Sequence, residues 1–212
     1  MTWLSPSFPV GAFSYSHGLE WAVREGDVHS PDALHDWIDS LIDTGSGWND
    51  AVLLAESWHA AREDDRDRLG AASALAEALA PSFERHLETI QMGTAFLEST
   101  RVLSNAVFDE LAGSAAYPVA IGAVAARMKV GLDETLIAYL HGFASNLVSA
   151  AVRLGVFGQS QAVAVLSRLE PALISAARRA ACSSLDDLGS ATIAADIASM
   201  HHETMHSRLF RS

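Results

Sequence analysis

The stretch Ser30-Pro31-Asp32-Ala33-Leu34-His35-Asp36-Trp37-Ile38-Asp39-Ser40-Leu41-Ile42-Asp43-Thr44-Gly45 decides the fold class. Leu34, Trp37, Ile38, Leu41 and Ile42 recur at i, i+3, i+4, i+7 and i+8, the spacing that gathers one apolar stripe on an α-helix. Asp32, Asp36, Asp39 and Asp43 fall on the opposite face. Ser30 offers an N-cap hydroxyl, and Pro31 suits the first helical position, where no amide is needed. Gly45 and Gly47 end the helix.

The same period recurs along nearly the whole chain. It predicts helices over about 49–61 and 66–80, and a long one from Ser82 with Phe83, Leu87, Ile90 and Leu97 on one side. Others are expected over about 118–129, 133–154, 160–181 and 190–202, with Pro171 kinking or breaking the third of these. No run of alternating β-branched residues is bounded by hairpin turns. No repeat and no Gly/Ser- or Pro-rich linker divides the chain. The reading is therefore all-α: a single-domain helical bundle of roughly eight to ten helices. It covers residues 1–212, with an N-terminal motif loop over 1–16 and a tail over 203–212.

Half of the 212 residues are hydrophobic, 19% are charged, and mean hydropathy is +0.17. Such a chain can bury a large core and still keep apolar surface for partner subunits. Its net charge of −12, from 14 basic and 26 acidic residues, repels phosphate backbones, so no nucleic acid ligand is expected. Cys182 is the single cysteine, which forbids an internal disulfide and suits a reducing cytoplasm. The N-terminus has no basic segment followed by an apolar core, so no signal peptide is read there. The uncharged runs Leu111 to Ala126 and Leu136 to Val152 fall short of the roughly 18 apolar residues of a membrane span and are expected to be buried helices.

Several chemistries lack their motif. A phosphate loop needs a Gly-rich turn ending in Lys-Ser or Lys-Thr, but the only lysine, Lys129, precedes Val130 and Gly131. No G-x-S-x-G elbow and no Cys-pair metal site is present. His202-Glu203-Thr204-Met205-His206 spells H-E-x-x-H, which raises the alternative of a zinc-dependent hydrolase. That chemistry needs both histidines on one cavity, a third ligand, and Glu203 polarising a water. If Ile193, Ile197 and Met200 form the inward stripe of the last helix, His202 and His206 point to solvent. No His, Asp, Glu or Cys follows His206. No metal ligand is assigned; a weak adventitious site at His201, His202 and His206 is the most that is expected.

The second unusual segment is Leu4-Ser5-Pro6-Ser7-Phe8-Pro9-Val10-Gly11-Ala12-Phe13-Ser14-Tyr15-Ser16-His17-Gly18-Leu19-Glu20. Pro6, Pro9 and Gly11 give a stiff, turning loop, and Ser14 can cap the helix that follows. A loop this aromatic either plugs a core or meets a partner, and the residues leave both open.

Pro9 to Glu20 closely resembles the N-terminal motif of the UreF family of urease accessory proteins. His202-Glu203-Thr204-Met205-His206-Ser207-Arg208-Leu209-Phe210-Arg211-Ser212 resembles that family's C-terminal signature, in which the second histidine of the apparent zinc motif falls at a position often held by tyrosine. Tyr117 to Gly122 is similar to a family helix start. Arg153-Leu154-Gly155-Val156-Phe157-Gly158-Gln159 is similar to a family segment that often has proline at Val156.

The resemblance implies an all-helical, non-enzymatic homodimer in the cytoplasm. It implies binding to UreD (also called UreH) and recruitment and modulation of the GTPase UreG, so that nickel enters the urease apoprotein. Nickel and GTP would be handled with these partners, with no cofactor bound intrinsically. The residues expected at partner contacts are Tyr15, Ser16, Glu20, Gln159, Glu203, Ser207, Arg208, Leu209, Phe210, Arg211 and Ser212. Pro9, Gly11, Phe13, Ser14, Gly18 and Leu19 are expected to shape the motif, with Phe13 and Leu19 in the core. The tail is expected to fray when free and to order on docking.

Overall fold

The computed structural model describes residues 2–5, 8–111 and 115–212. Pro6 and parts of the 1–16 loop and of the run from Leu111 lie outside the described residues. Helices α1 (Leu19–Glu25), α2 (Pro31–Thr44), α3 (Ser46–Arg62), α4 (Arg66–Ala78) and α5 (Phe83–Thr100) are followed by a short α6 (Asn105–Glu110). Then come α7 (Tyr117–Arg127), α8 (Leu132–Arg153), α9 (Gln159–Ala181) and α10 (Ile193–His202). No strand occurs among the described residues. Helix α1 is expected only as the helix after Ser14, and α6 and the short 3-10 turns have no counterpart in the periodicity.

In α2 the Ser30 hydroxyl accepts the Ala33 amide, and Leu34, Ile38, Leu41 and Ile42 are buried. Each such side chain contributes about 1.5–3 kcal/mol of burial. The α2 stripe rests on α3 and α9. At the centre, α7 lies against α3 and α5, and every residue from Pro118 to Ala126 is buried. The close approach of α7 to α3 needs Gly122, since a Cβ there would sit 2.3 Å from the Leu54 carbonyl oxygen.

Helix α8 is 22 residues long and apolar enough to meet the length and composition of a membrane span, contrary to the sequence expectation. Leu136, Leu140, Ala144, Leu147 and Ala151 bury its inner face against the neighbouring helices. Helix α9 runs unbroken through Pro171. Pro171 and Ser167, whose carbonyl loses its helical donor, are both exposed, so water can replace the missing bond.

Two helix faces differ from the periodic reading. On α5 the buried residues include Arg85, Glu88, Met92, Phe96 and Leu97, while Phe83 is 66% exposed and Leu87 lies at the surface. On α10 the stripe Ile193, Ile197 and Met200 faces outward, and Ala195, Ala198, Ser199 and His202 face in. Both reversals have one cause: a polar side chain on each inward face, Glu88 on α5 and His202 on α10, finds partners that come from far along the chain.

Candidate functional site

Helix α10 stops at His202, and residues 203–212 run back across the body instead of fraying. Main-chain bonds guide them. The amides of Leu209 and Phe210 donate to Glu20 Oε1 and Oε2 at 2.7 and 2.9 Å. The Arg211 amide donates to the Ser14 carbonyl at 2.8 Å, and the Ser16 amide donates to the main-chain oxygen of Ser212 at 2.8 Å. The Ser16 hydroxyl donates to that same oxygen at 2.5 Å. Glu203 Oε1 accepts the Phe83 amide at 2.8 Å, satisfying a donor at the start of α5. The expected free tail is thus a seated strap, because its otherwise orphaned amides meet carboxylates and carbonyls of the N-terminal motif and α1.

Side chains complete the seat. The Phe210 ring is buried, with the Arg153 guanidinium 4.0 Å from its centroid. Arg153 also donates to the Phe13 carbonyl at 2.5 Å. Tyr15 is buried, donates to Gln91 Oε1 at 2.9 Å, and takes the Asn146 amide on its carbonyl at 3.0 Å. Burial raises the Tyr15 pKa, opposed by a hydrogen bond from Arg211. Gly18 begins α1 at φ +77°, and a Cβ there would lie 2.7 Å from the Ser199 amide nitrogen, so only glycine lets α10 approach α1 this closely.

Two charge clusters underlie the strap. In the first, His202, fully buried, sets Nδ1 2.6 Å from Glu84 Oε2 and Nε2 3.2 Å from Glu20 Oε2. Arg208 pairs with the other oxygen of Glu84. In the second, Glu88 receives His17 Nε2 at 2.8 Å, Arg85 at 2.5 Å and the Ser212 hydroxyl at 2.6 Å. Burial alone would raise the Glu88 carboxyl, but Arg85, His17 and Ser212 outweigh it and hold it at about 2. Burial and then the Arg85 charge push the His17 imidazole down, so its Nε2–H donates and its buried Nδ1 has no hydrogen-bond partner. Glu88, Arg85 and His17 also line a cavity of about 330 Å³ bounded by Val10, Met92 and Phe143. In its wall Tyr139 donates to Asp50 at 2.7 Å; desolvation nevertheless pushes the Asp50 carboxyl up to about 6.

The structure brings together Tyr15, Ser16, Glu20, Glu203, Arg208, Leu209, Phe210, Arg211 and Ser212, residues of two motifs that the sequence reading assigns to partner contacts and not to each other. Ser207, Arg208, Leu209 and Arg211 present their exposed sides outward, whereas Phe210 and Ser212 are buried anchors. Gln159 stands apart, exposed at the start of α9. Leu19 is in the core, but Phe13 is 66% exposed, because the strap and Arg153 hold its main chain and leave the ring outside. Pro9 is exposed, and Gly11 takes φ +77° before a 3-10 turn over Ala12–Ser14. Ser14 therefore ends a turn and caps nothing; the Ser16 hydroxyl accepts the Glu20 amide at 3.3 Å instead.

The H-E-x-x-H arrangement has no metal geometry. The helix ends at His202, so His202 and His206 share no helix face. His202 is not solvent-facing as the periodicity implied; both its nitrogens are taken by carboxylates. Glu203 bonds main-chain amides of α5, and His201 stacks on Trp21 at 4.8 Å. Among the described residues no group of three His, Cys, Asp or Glu side chains could hold a metal ion. The sequence reading missed Glu84, Arg85, Glu88 and Arg153. The one local signal was the Arg85–Glu88 pair at i, i+3, which reads equally well as a solvated helix face.

A family model described as UreF matches residues 28–170. The chain is 54% identical over 212 residues to "Urease accessory protein UreF 1" of Brucella canis, covering 100% of this chain and 92% of the relative. It is 53% identical over 210 residues to "Urease accessory protein UreF" of Rhizobium etli, covering 99% and 93%.

Proposed function

The chain belongs to the UreF family of urease accessory proteins, and from that premise we propose a non-enzymatic adaptor of urease maturation. It binds UreD and recruits and modulates the GTPase UreG, so that nickel is delivered to the urease apoprotein. It acts in the cytoplasm, as a homodimer within that assembly, and carries no cofactor of its own.

The observation that carries this reading is the strap. Residues 203–212 are pinned to the N-terminal motif from beneath and offer Arg208, Leu209 and Arg211 outward. An apolar residue flanked by guanidinium groups on a pre-ordered segment suits recognition of an acidic, apolar-lined partner surface. Ordering before contact also lowers the entropy cost of binding. The outward stripe Ile193, Ile197 and Met200 lies on the helix that feeds the strap and extends the apolar surface on offer.

The experiment is co-purification with UreD and UreG, comparing the full chain with one ending at Met205 by size-exclusion chromatography and metal analysis. The adaptor reading expects a ternary complex with the full chain and none with the shortened chain. A full chain that binds neither partner overturns it.

A further inference from the structure

We propose that His202 is a positioning residue whose cluster must hold a proton for the strap to seat, so that the docking face assembles when protonated and loosens as pH rises. This rests on the reading of residues 203–212 as the docking segment.

Both ring nitrogens of His202 face carboxylate oxygens, at 2.6 and 3.2 Å. An ionised carboxylate only accepts, and a neutral imidazole has a single N–H. The geometry is satisfied when the ring is an imidazolium donating twice, or when one carboxyl keeps its proton and donates to the ring. Either state holds one proton more than a neutral ring between two carboxylates. Without that proton a nitrogen lone pair of the fully buried ring faces a carboxylate oxygen, and the ring has no other partner to turn to. Both oxygens of Glu20 already accept the Leu209 and Phe210 amides, so the proton belongs to His202 and its contact with Glu84.

The other charges around the ring come from several elements. Arg208 of the strap pairs with Glu84, and Arg153 of α8 acts on Glu20. Both compete with the proton for these carboxylates. Arg208 reaches in from a 36% exposed position where solvent screens it, however, whereas the ring is in direct contact. On α10 itself His201 is stacked on Trp21 and Asp196 faces Ser190, and just past its end Glu203 is bonded to α5 amides. The second cluster needs no such proton: Arg85 balances Glu88, and His17 donates once. Loss of the proton therefore frees Leu209 and Phe210, while Ser212 stays tied to Glu88 and Ser16.

The test is amide exchange at Leu209 and Phe210 in the free full chain, corrected for intrinsic rates, from about pH 6 to about pH 9. It is run beside nitrogen-15 NMR of the His202 ring. The expectation is a ring protonated at both nitrogens, or hydrogen-bonded to a protonated Glu84, at the lower end. Protection should then fall up to ~10-fold per pH unit once the proton leaves. His202→Gln, which donates and accepts once without titrating, should flatten that profile; if it fails to fold, the wild-type titration decides alone. Flat wild-type protection, or a neutral ring between two ionised carboxylates in the seated state, overturns the proposal. UreD capture at both ends of the range separates the two readings. Release without loss of capture sinks the docking reading and keeps the proton seat; capture that depends on residues 203–212 with no release does the reverse.

Discussion

Ser16 and Ser212 lie 196 positions apart in the chain, yet the Ser16 amide and hydroxyl both end on the main-chain oxygen of Ser212. The two segments that stand out in the sequence are therefore one structural unit, and the strap cannot seat without the N-terminal motif beside it. Closing a loop of this span carries a large entropy cost, so a seated strap reports the completed fold.

Replacing Ser16 by alanine removes the hydroxyl bond to Ser212 and the hydroxyl acceptor of the Glu20 amide, but keeps the main-chain bond. The expected loss is about 1 kcal/mol, read as a lower denaturant midpoint at unchanged slope. Amide exchange should rise at Ser16 and remain unchanged in α3 and α7.

Glu20→Gln is expected to cost far more. One carboxylate accepts the Leu209 and Phe210 amides and faces His202 in a buried setting, so the amide substitution sets an N–H2 against donors. A loss of about 3 kcal/mol is expected, with residues 207–212 losing exchange protection before the body unfolds. A strap that stays protected in this variant would show that Phe210 burial, not the carboxylate, holds it.

The all-α bundle and most helix bounds were legible because Ser30, Pro31 and the stripe from Leu34 to Ile42 act locally, through capping and periodicity. Resemblance marks both chain ends as special but assigns them to partner contacts; their pairing with each other comes only from the structure, and no local rule contains it. What failed was orientation. Ile193, Ile197 and Met200 form a sound amphipathic stripe, but it faces out, because His202 on the other side meets Glu20 and Glu84, 182 and 118 positions away. Phe83 and Leu87 lost the inward face of α5 to Arg85 and Glu88 for the same reason. Periodicity measures only how apolar residues cluster on a helix, and a buried charge with distant partners is invisible to it.

Two of the perturbed carboxyls, Glu88 and Asp50, give stability opposite pH dependences. Glu88 is held at about 2 against an ordinary 4.5, so its pairing stabilises fully above that ordinary value and is lost as pH falls toward about 2. Asp50 is raised from 3.8 to about 6, so the fold binds its proton more tightly than the unfolded chain does. Its effect is a stability that drops as pH climbs from 3.8 to about 6 and then levels. Asp50→Asn keeps an acceptor for Tyr139 and removes the charge. It should raise stability near neutral pH by on the order of 1 kcal/mol and have little effect near pH 4. Denaturant midpoints measured across this range decide it; an equal effect at both ends would mean that the carboxyl is not desolvated.

Leu209 and Phe210 are chain neighbours with opposite surroundings: Leu209 is 61% exposed, and Phe210 is 4% exposed beneath Arg153. The pair can separate seating from docking. Phe210→Ala empties a buried site and removes the Arg153 contact, so it should cost about 3–5 kcal/mol and unseat the strap. Partner binding would fail with it, which alone proves only that the strap must be ordered. Leu209→Glu leaves the amide bond to Glu20 in place and changes only an exposed side chain, so stability should stay within about 0.5 kcal/mol. If the outward face of the strap contacts UreD, a carboxylate beside Arg208 and Arg211 should neutralise it and remove its apolar anchor. Affinity in a titration of purified UreD should then weaken by at least ~10-fold, while exchange protection at Leu209 and Phe210 holds. Unchanged affinity with the strap seated would move the contact elsewhere, first to the outward stripe of α10, where Ile197→Glu poses the same question.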